Sequence, residues 1–130
     1  MAFSDYLENK LLLHSFANTA FTTPGTVYLA LYTAAPDDSA GSGTEVSGGS
    51  YARISCAFSV SGTNPTTATN SSAAEFATAT GTWGTVGWVA VFDASTSGNM
   101  LAWSALTTSK VVSSGDVFRF DSGDLDITLS

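Results

Sequence analysis

The sequence predicts a mainly β protein: an antiparallel β-sandwich with one short N-terminal α-helix, in a single domain spanning residues 1–130. Three observations support this prediction. From residue 26 onward, apolar residues alternate with polar ones or form short runs, which is typical of strands. Turns rich in Gly, Ser and Asp separate the runs. Helical spacing of apolar residues occurs near the start of the chain, and about seven or eight short strands with one helix indicate a sandwich.

The helix is predicted at residues 4–16. Ser4 is a suitable N-cap, and carboxylates at Asp5 and Glu8 favour the positive end of the helix dipole. An apolar stripe runs along the helix at helical spacing, and its members are Phe3, Tyr6, Leu7, Leu11, Leu13, His14 and Phe16. A polar segment with a Pro-Gly turn, residues 18–25, ends the helix.

The strands follow in order. Residues 26–32 are apolar on both faces, as in a central strand covered on each side, and residues 34–50 form a long loop. Residues 61–72 are expected to be a polar turn region that buries little. Residues 93–99 form a hairpin loop. Further strands are predicted at residues 52–60, 73–79, 85–92, 100–106, 110–112, 117–120 and 125–129.

Residues 52–60 alternate strictly between apolar and polar side chains. The side chains expected to face the interior are Ala52, Ile54, Cys56, Phe58 and Val60. Arg53 lies on the opposite face of this strand. Cys56 is the only cysteine, so an intrachain disulfide is impossible, and we expect a buried, inert thiol.

Charge limits the classes of partner. The net charge is −7, and the four cationic residues, Lys10, Arg53, Lys110 and Arg119, are scattered along the chain. Nucleic-acid binding needs clustered Lys and Arg, so we predict no nucleic-acid partner.

The N-terminus does not resemble a signal peptide and no apolar run reaches a membrane span, so we predict no membrane partner and synthesis in the cytoplasm.

Residues that could carry catalysis or bind metal are few. One histidine, His14, and one cysteine are too few ligands for a zinc site. A Ser-His-Asp triad would need His14 as its base, but His14 lies on the predicted helix stripe, where a packed or half-exposed side chain is the better interpretation. Acidic residues near 121–126 and 37–38 lack the ligand spacing of a calcium loop. No phosphate loop is present. We therefore predict that the protein is not an enzyme and has no catalytic, cofactor-binding or metal site.

Serine and threonine supply most of the polarity: 19 Ser and 18 Thr, against 12% charged residues. Such a surface suits close packing against a neighbour. Among the aromatics, Trp88 and Trp103 lie inside apolar strands and are expected in the core. Trp83 follows Gly81 and Thr82 and is expected at a surface or interface. A sugar-stacking surface is a second possibility, although no motif supports it.

The segment TEVSGGSYARIS, residues 44–55, is the most distinctive loop. Gly48 and Gly49 permit a sharp turn, and Tyr51 is expected to anchor the return into the next strand. Arg53 has two possible partners, either Glu45 across the loop or a carboxylate of a neighbouring subunit. The loop is therefore interpreted as a structural clamp and a candidate subunit contact.

Several segments together resemble a family of small structural proteins of tailed bacteriophages, commonly labelled tail fibre proteins, some members of which are similar to capsid cement (decoration) proteins. The segments are SDYLENKLLLH (4–14), TVYLALYTAAP (26–36), GTEVSGGSYAR (43–53), TGTWGTV (80–86), FDASTSGNMLAWSALTTSK (92–110) and SSGDVFRFDSGDLDITL (113–129). The resemblance spans nearly the whole chain except residues 59–74.

The resemblance implies a virion structural protein. We expect a cement protein on the capsid exterior, which binds the major capsid protein, assembles as a homotrimer and stabilises the shell; a compact domain without repeats suits this role. The alternative is a tail or head fibre or a glycan-binding receptor component. The helix either contacts the capsid or closes the core, and the 34–50 loop is either a contact or a solvated turn. Interface candidates are Phe3, Tyr6, Glu45, Tyr51, Arg53 and Trp83.

Overall fold

The computed structural model describes residues 1–129 and is mainly β with one helix, as the sequence predicts. The elements are β1 (Ala2–Phe3), α1 (Asp5–Phe16), β2 (Val27–Ala34), β3 (Thr44–Glu45), β4 (Ile54–Cys56), β5 (Phe58–Ser61), β6 (Thr66–Asn70), β7 (Ala74–Glu75), β8 (Gly84–Phe92), β9 (Met100–Val112), β10 (Arg119–Phe120) and β11 (Asp126–Leu129). No helix within residues 1–129 is long and apolar enough to cross a membrane.

The strands form three antiparallel sheets. The largest has the order β1-β9-β8-β2-β3, and β4 also pairs with β2. The second sheet has the order β11-β6-β5, and the third joins β10 to β7. At the centre of the large sheet, Leu31 of β2 lies opposite Val89 of β8.

The main core lies between the large sheet and the two small ones. Alternation along β2 directs Leu29 and Leu31 into this core, and both are fully buried. The intervening Ala30 and Tyr32 belong to a second apolar cluster on the opposite face of the sheet. Both faces of β2 are therefore covered, as its continuous apolar sequence predicts.

The helix begins as predicted but packs differently. Ser4 is buried and its Oγ accepts a hydrogen bond from the Leu7 N–H at 3.2 Å, which caps α1. Tyr6 and Leu7 pack against the main core, yet no residue of α1 is fully buried. Phe16, at the edge of the predicted stripe, is 84% exposed, so this part of the helix does not close the core.

The predicted strand at residues 52–60 is two strands in two sheets. β4 pairs with β2 in the large sheet, whereas β5 pairs with β6 in a small sheet, and the chain crosses between them at Ala57. Strands that change sheets at a corner are typical of sandwiches. The crossing leaves Ala52 and Val60 exposed, so the inward position predicted for these two residues is wrong.

Residues 61–72 are not simply a polar turn. They contain β6, which lies between β5 and β11 in its sheet and ends in Asn70, whose side chain is only 1% exposed. The Asn70 amide donates to the carbonyls of Ser72 and Asp121, both at 2.9 Å. Its Oδ1 accepts from the Gly123 and Leu125 N–H groups at 3.1 and 2.9 Å. Burial of this polar group is tolerated because its donors and acceptor are all paired.

Several other strand boundaries in the structure differ from those predicted from the sequence. The predicted 34–50 loop contains the short strand β3, and β1 pairs with β9 where no strand was predicted. The two strands predicted at residues 100–106 and 110–112 form the single strand β9. Its pairing with β8 is interrupted, because Trp88 pairs with Ala105 and Val86 with Lys110. The interruption explains why the sequence pattern looked like two strands.

We expect Asn70→Ala to lower the free energy of unfolding by about 3 kcal/mol, because it leaves buried backbone groups without partners. Urea denaturation followed by tryptophan fluorescence measures the change. Thr78→Ala, at an exposed position, serves as the control and should change stability by less than about 0.5 kcal/mol. Equal stability of the two variants would contradict the role assigned to Asn70.

Candidate functional site

The paired glycines of the 44–55 segment allow its backbone to pass close to an indole ring. Gly48 and Gly49 both have positive φ, at 75° and 56°, which glycine adopts without strain. The Gly49 carbonyl accepts a hydrogen bond from Trp83 Nε1 at 2.9 Å. A Cβ at residue 49 would lie 2.9 Å from that same nitrogen. Gly49 is therefore required sterically as well as by its φ.

Tyr51 joins this turn to the large sheet. Its hydroxyl accepts a hydrogen bond from the Leu31 N–H at 3.0 Å and donates one to Glu45 Oε2 at 2.8 Å. Leu31 lies between the part of β2 that pairs with β4 and the part that pairs with β3. The Tyr51 hydroxyl thus occupies the position of a missing strand neighbour. Its ring packs against Phe76 and Trp83, with centroid separations of 6.2 and 5.4 Å.

Arg53 pairs with Glu45 within the chain, which confirms one of its two predicted partners. Its Nη2 and Nε donate to Glu45 Oε1 and Oε2 at 2.7 and 2.9 Å. Its Nη1 donates to the carbonyls of Ala94 and Ser97 at 3.1 and 2.7 Å. The guanidinium lies 3.7 Å from the centre of the Phe92 ring. We call Glu45, Tyr51 and Arg53 the Arg53 clamp.

The electrostatics of the clamp follow from its burial. The Arg53 side chain is only 8% exposed. Burial acts to lower the pKa of Arg53, but the hydrogen bonds and charge of Glu45 outweigh it, so the pKa is raised and the cation is held. Burial, together with Glu45, raises the pKa of the Tyr51 hydroxyl. Burial and the charge of Glu45 likewise raise the pKa of Tyr32. The clamp therefore favours a charged Arg53 and neutral phenols.

The structure brings four of the six candidate residues together: Glu45, Tyr51, Arg53 and Trp83. Trp83 is 5% exposed, so its predicted surface position is wrong. The neighbouring Gly81 lets the backbone of Gly49 approach closely and does not expose the ring. Phe3 and Tyr6 lie apart from this group. Phe3 is opposite Ala102 in the β1–β9 pairing, and the Tyr6 ring packs edge-on against Phe21 at 6.4 Å.

Sequence reasoning missed the partners that the 93–99 hairpin loop supplies. The carbonyls of Ala94 and Ser97 lie more than 40 residues from Arg53 in sequence. Main-chain acceptors carry no sequence signal, because every residue has a carbonyl. The hydrogen bond from Trp103 Nε1 to Asp38 Oδ1, at 2.8 Å, was missed for the same reason of distance in sequence.

The arrangement is suited to holding a shape. Four of the five Arg53 N–H donors can be assigned to acceptors within the chain, and Glu45 accepts from both Arg53 and Tyr51.

His14 lies on α1, away from the clamp, and its Nδ1 accepts a hydrogen bond from the Phe21 N–H at 3.1 Å. Within residues 1–129, no group of three or more His, Cys, Asp or Glu side chains is arranged to hold a metal ion.

The chain is a β-rich domain with an internally paired polar centre, and comparison with known families assigns it to the virion structural proteins of tailed phages. Residues 2–128 match the family described as podophage GP4 fiber I protein gp80, and the chain belongs to that family. The protein is thus a fibre-type structural protein of a phage virion, as the sequence resemblance indicates. A search of curated proteins finds no match.

We expect Arg53→Ala to lower the free energy of unfolding by about 3–5 kcal/mol, because it leaves a partly buried Glu45 and two carbonyls without their partner. Arg53→Lys should recover only part of this loss, since an ammonium group cannot reproduce the fork geometry. The matched control is Arg119→Ala, which removes exposed ion pairs and should leave the urea midpoint nearly unchanged. A similar small effect for both alanine variants would contradict the clamp.

Stability should fall as the pH rises above about 10. The unfolded chain releases its phenolic protons near that pH, whereas the raised pKa of Tyr51 keeps its proton in the native state. The stabilisation is therefore fully present below the unfolded pKa and is lost as the pH rises. Urea midpoints between pH 8 and pH 11 measure the slope. In Tyr51→Phe, stability at pH 8 should be lower and the alkaline slope shallower; an unchanged slope would exclude Tyr51 as its source.

Proposed function

We propose that this protein is a rigid building block of a virion fibre, whose role is to hold a fixed shape while it contacts neighbouring virion proteins. The main observation in support of this proposal is the Arg53 clamp. It joins the 44–55 segment to the large sheet through Tyr51 and to the 93–99 hairpin loop through Arg53. Segments far apart in the sequence are thereby fixed relative to one another, which a rigid structural unit needs.

The residues of the Arg53 clamp would contribute only indirectly to a contact with another subunit. Because the Arg53 side chain is almost fully buried and already paired, a carboxylate of another subunit would have to displace Glu45 to reach it. The contribution of Glu45, Tyr51 and Arg53 is instead to fix the shape of the loop that precedes them. In that loop, residues 37–42 are largely exposed. We therefore propose this exposed part as the contact surface and the clamp as its support.

A capsid cement protein is the second candidate, favoured by the compact two-layer fold and the low share of charged residues, 12%. In this role the protein binds the major capsid protein on the exterior of the shell, as a homotrimer, and stabilises the assembled lattice by mass action. A glycan-binding role through Trp83 is not favoured, because a ring that is 5% exposed offers no face on which a sugar could stack.

Copy number in purified virions distinguishes the two roles. For a fibre component, quantitative mass spectrometry should give a ratio to the major capsid protein similar to that of other tail proteins, and immunogold label should lie on fibres. A ratio near that of the major capsid protein, with label over the whole shell, would overturn the fibre proposal and establish the cement role. Antibody against the major capsid protein provides the control for shell labelling.

A further inference from the structure

The only histidine of the chain holds the segment that follows the helix. Residues 17–26 connect α1 to β2, and we call them the linker. The Thr19 N–H donates to the Leu13 carbonyl at 3.0 Å, so the linker turns back toward the helix. The Phe21 N–H then donates to His14 Nδ1 at 3.1 Å. In the described part of the chain, no other linker N–H after Thr19 is hydrogen-bonded, so the position of the linker depends on this one bond.

Aromatic packing accompanies the hydrogen bond. The Phe21 ring lies edge-on to the Tyr6 ring at 6.4 Å, and Lys10 Nζ lies 5.6 Å from the centre of the Tyr6 ring. Tyr6, Lys10 and His14 follow one another at a spacing of four residues, so they share the helix face that the linker meets. Further along the linker, residues 24–26 form one wall of an open groove of about 570 Å³ at the edge of the main core. The bond to His14 therefore also steadies this wall.

The bond between Phe21 and His14 depends on the protonation state of the imidazole. Nδ1 accepts a hydrogen bond only in the neutral ring, with the ring proton on Nε2. Protonation places an N–H on Nδ1, so two donors face each other and the bond is lost. Histidine changes its charge between about pH 8 and about pH 5. The bond is therefore present above this range and is lost as the pH falls through it.

The charges around His14 leave the helix intact when the ring is protonated. The linker contains no charged residue, and no ion pair within residues 1–129 includes His14. Lys10, one turn earlier on the same helix face, disfavours a second cation. The helix dipole favours a cation at His14, which lies in the last turn of α1. These two effects are opposite in sign and comparable in size, so the loss of the Phe21 bond is the main consequence of protonation.

We propose that His14 is a pH-sensitive latch, which holds the linker against α1 when it is neutral and releases the linker when it is protonated. Release separates Phe21 from Tyr6 and loosens the groove wall that residues 24–26 form. The sheets and the Arg53 clamp contain no histidine and keep their shape. The inference goes beyond the proposed function, because it concerns a movable segment and applies to a fibre and to a cement protein alike.

Nuclear magnetic resonance of the isotope-labelled chain tests the latch directly. At about pH 7.5 we expect a scalar coupling across the hydrogen bond, between the Phe21 amide nitrogen and His14 Nδ1. On titration to about pH 5 the coupling should vanish, and the Phe21 amide shift should move with the same midpoint as the imidazole. The Thr19 amide, whose acceptor is a carbonyl, is the internal control and should change little. No coupling at the higher pH, or a Phe21 shift that does not follow the imidazole, would overturn the proposal.

Amide hydrogen exchange of the linker in two variants separates the latch from other effects of acid. His14→Ala has no acceptor, so its linker should be released at every pH. At about pH 7.5 the wild-type linker should exchange about fivefold more slowly than that of His14→Ala, and at about pH 5 the two should exchange alike. His14→Asn keeps an acceptor oxygen that does not titrate, and it should exchange more slowly than His14→Ala at both pH values. A wild-type rate that bears the same ratio to the His14→Ala rate at both pH values would contradict the latch.

Discussion

The fold depends on a nearly buried guanidinium that finds its partners within the chain. Removing Arg53 and Glu45 from water is unfavourable, and the pair is tolerated only because a bidentate geometry and two further carbonyls compensate for lost hydration. In a chain with four cationic side chains, one of them is thus committed to internal structure. The ion pair fixes the distance between β3 and the start of β4, both of which pair with β2.

The clamp also determines the residues around it. Tyr51 can hydrogen-bond to Leu31 only because the chain turns sharply before it, and that turn needs positive φ at Gly48 and Gly49. The close approach to Trp83 then requires an indole with an N–H donor facing the Gly49 carbonyl. Aromatic packing of Tyr51, Phe76 and Trp83 continues this contact into the main core. A polar pair, a turn and a core are therefore parts of one cooperative unit.

The sequence predicted those features whose signal is local. Strand β2 was found because both of its faces are apolar, and Glu45 was one of two partners expected for Arg53 because both residues lie in the same 44–55 segment. Asn70 was missed since its partners come from a distant turn, and a polar strand such as β6 shows no apolar alternation. Trp83 was placed at the surface because adjacent glycines usually indicate a turn, whereas here Gly81 lets the backbone of Gly49 approach closely. For Asn70 and Trp83, contacts with residues distant in the sequence determine the structure, and these contacts leave no local signal.

The helix shows why an apolar stripe does not identify what covers it. Helical spacing of apolar residues indicates a face that avoids water, but the same spacing is produced by a core contact or by a contact with another molecule. In α1, Tyr6 and Leu7 meet the core while Leu12 and Phe16, on other sides of the cylinder, meet solvent. Exposed aromatic surface is unfavourable for an isolated chain and becomes favourable when a neighbour covers it. For a protein that functions in an assembled particle, such surface is best understood as part of the assembly and not as a defect of the domain.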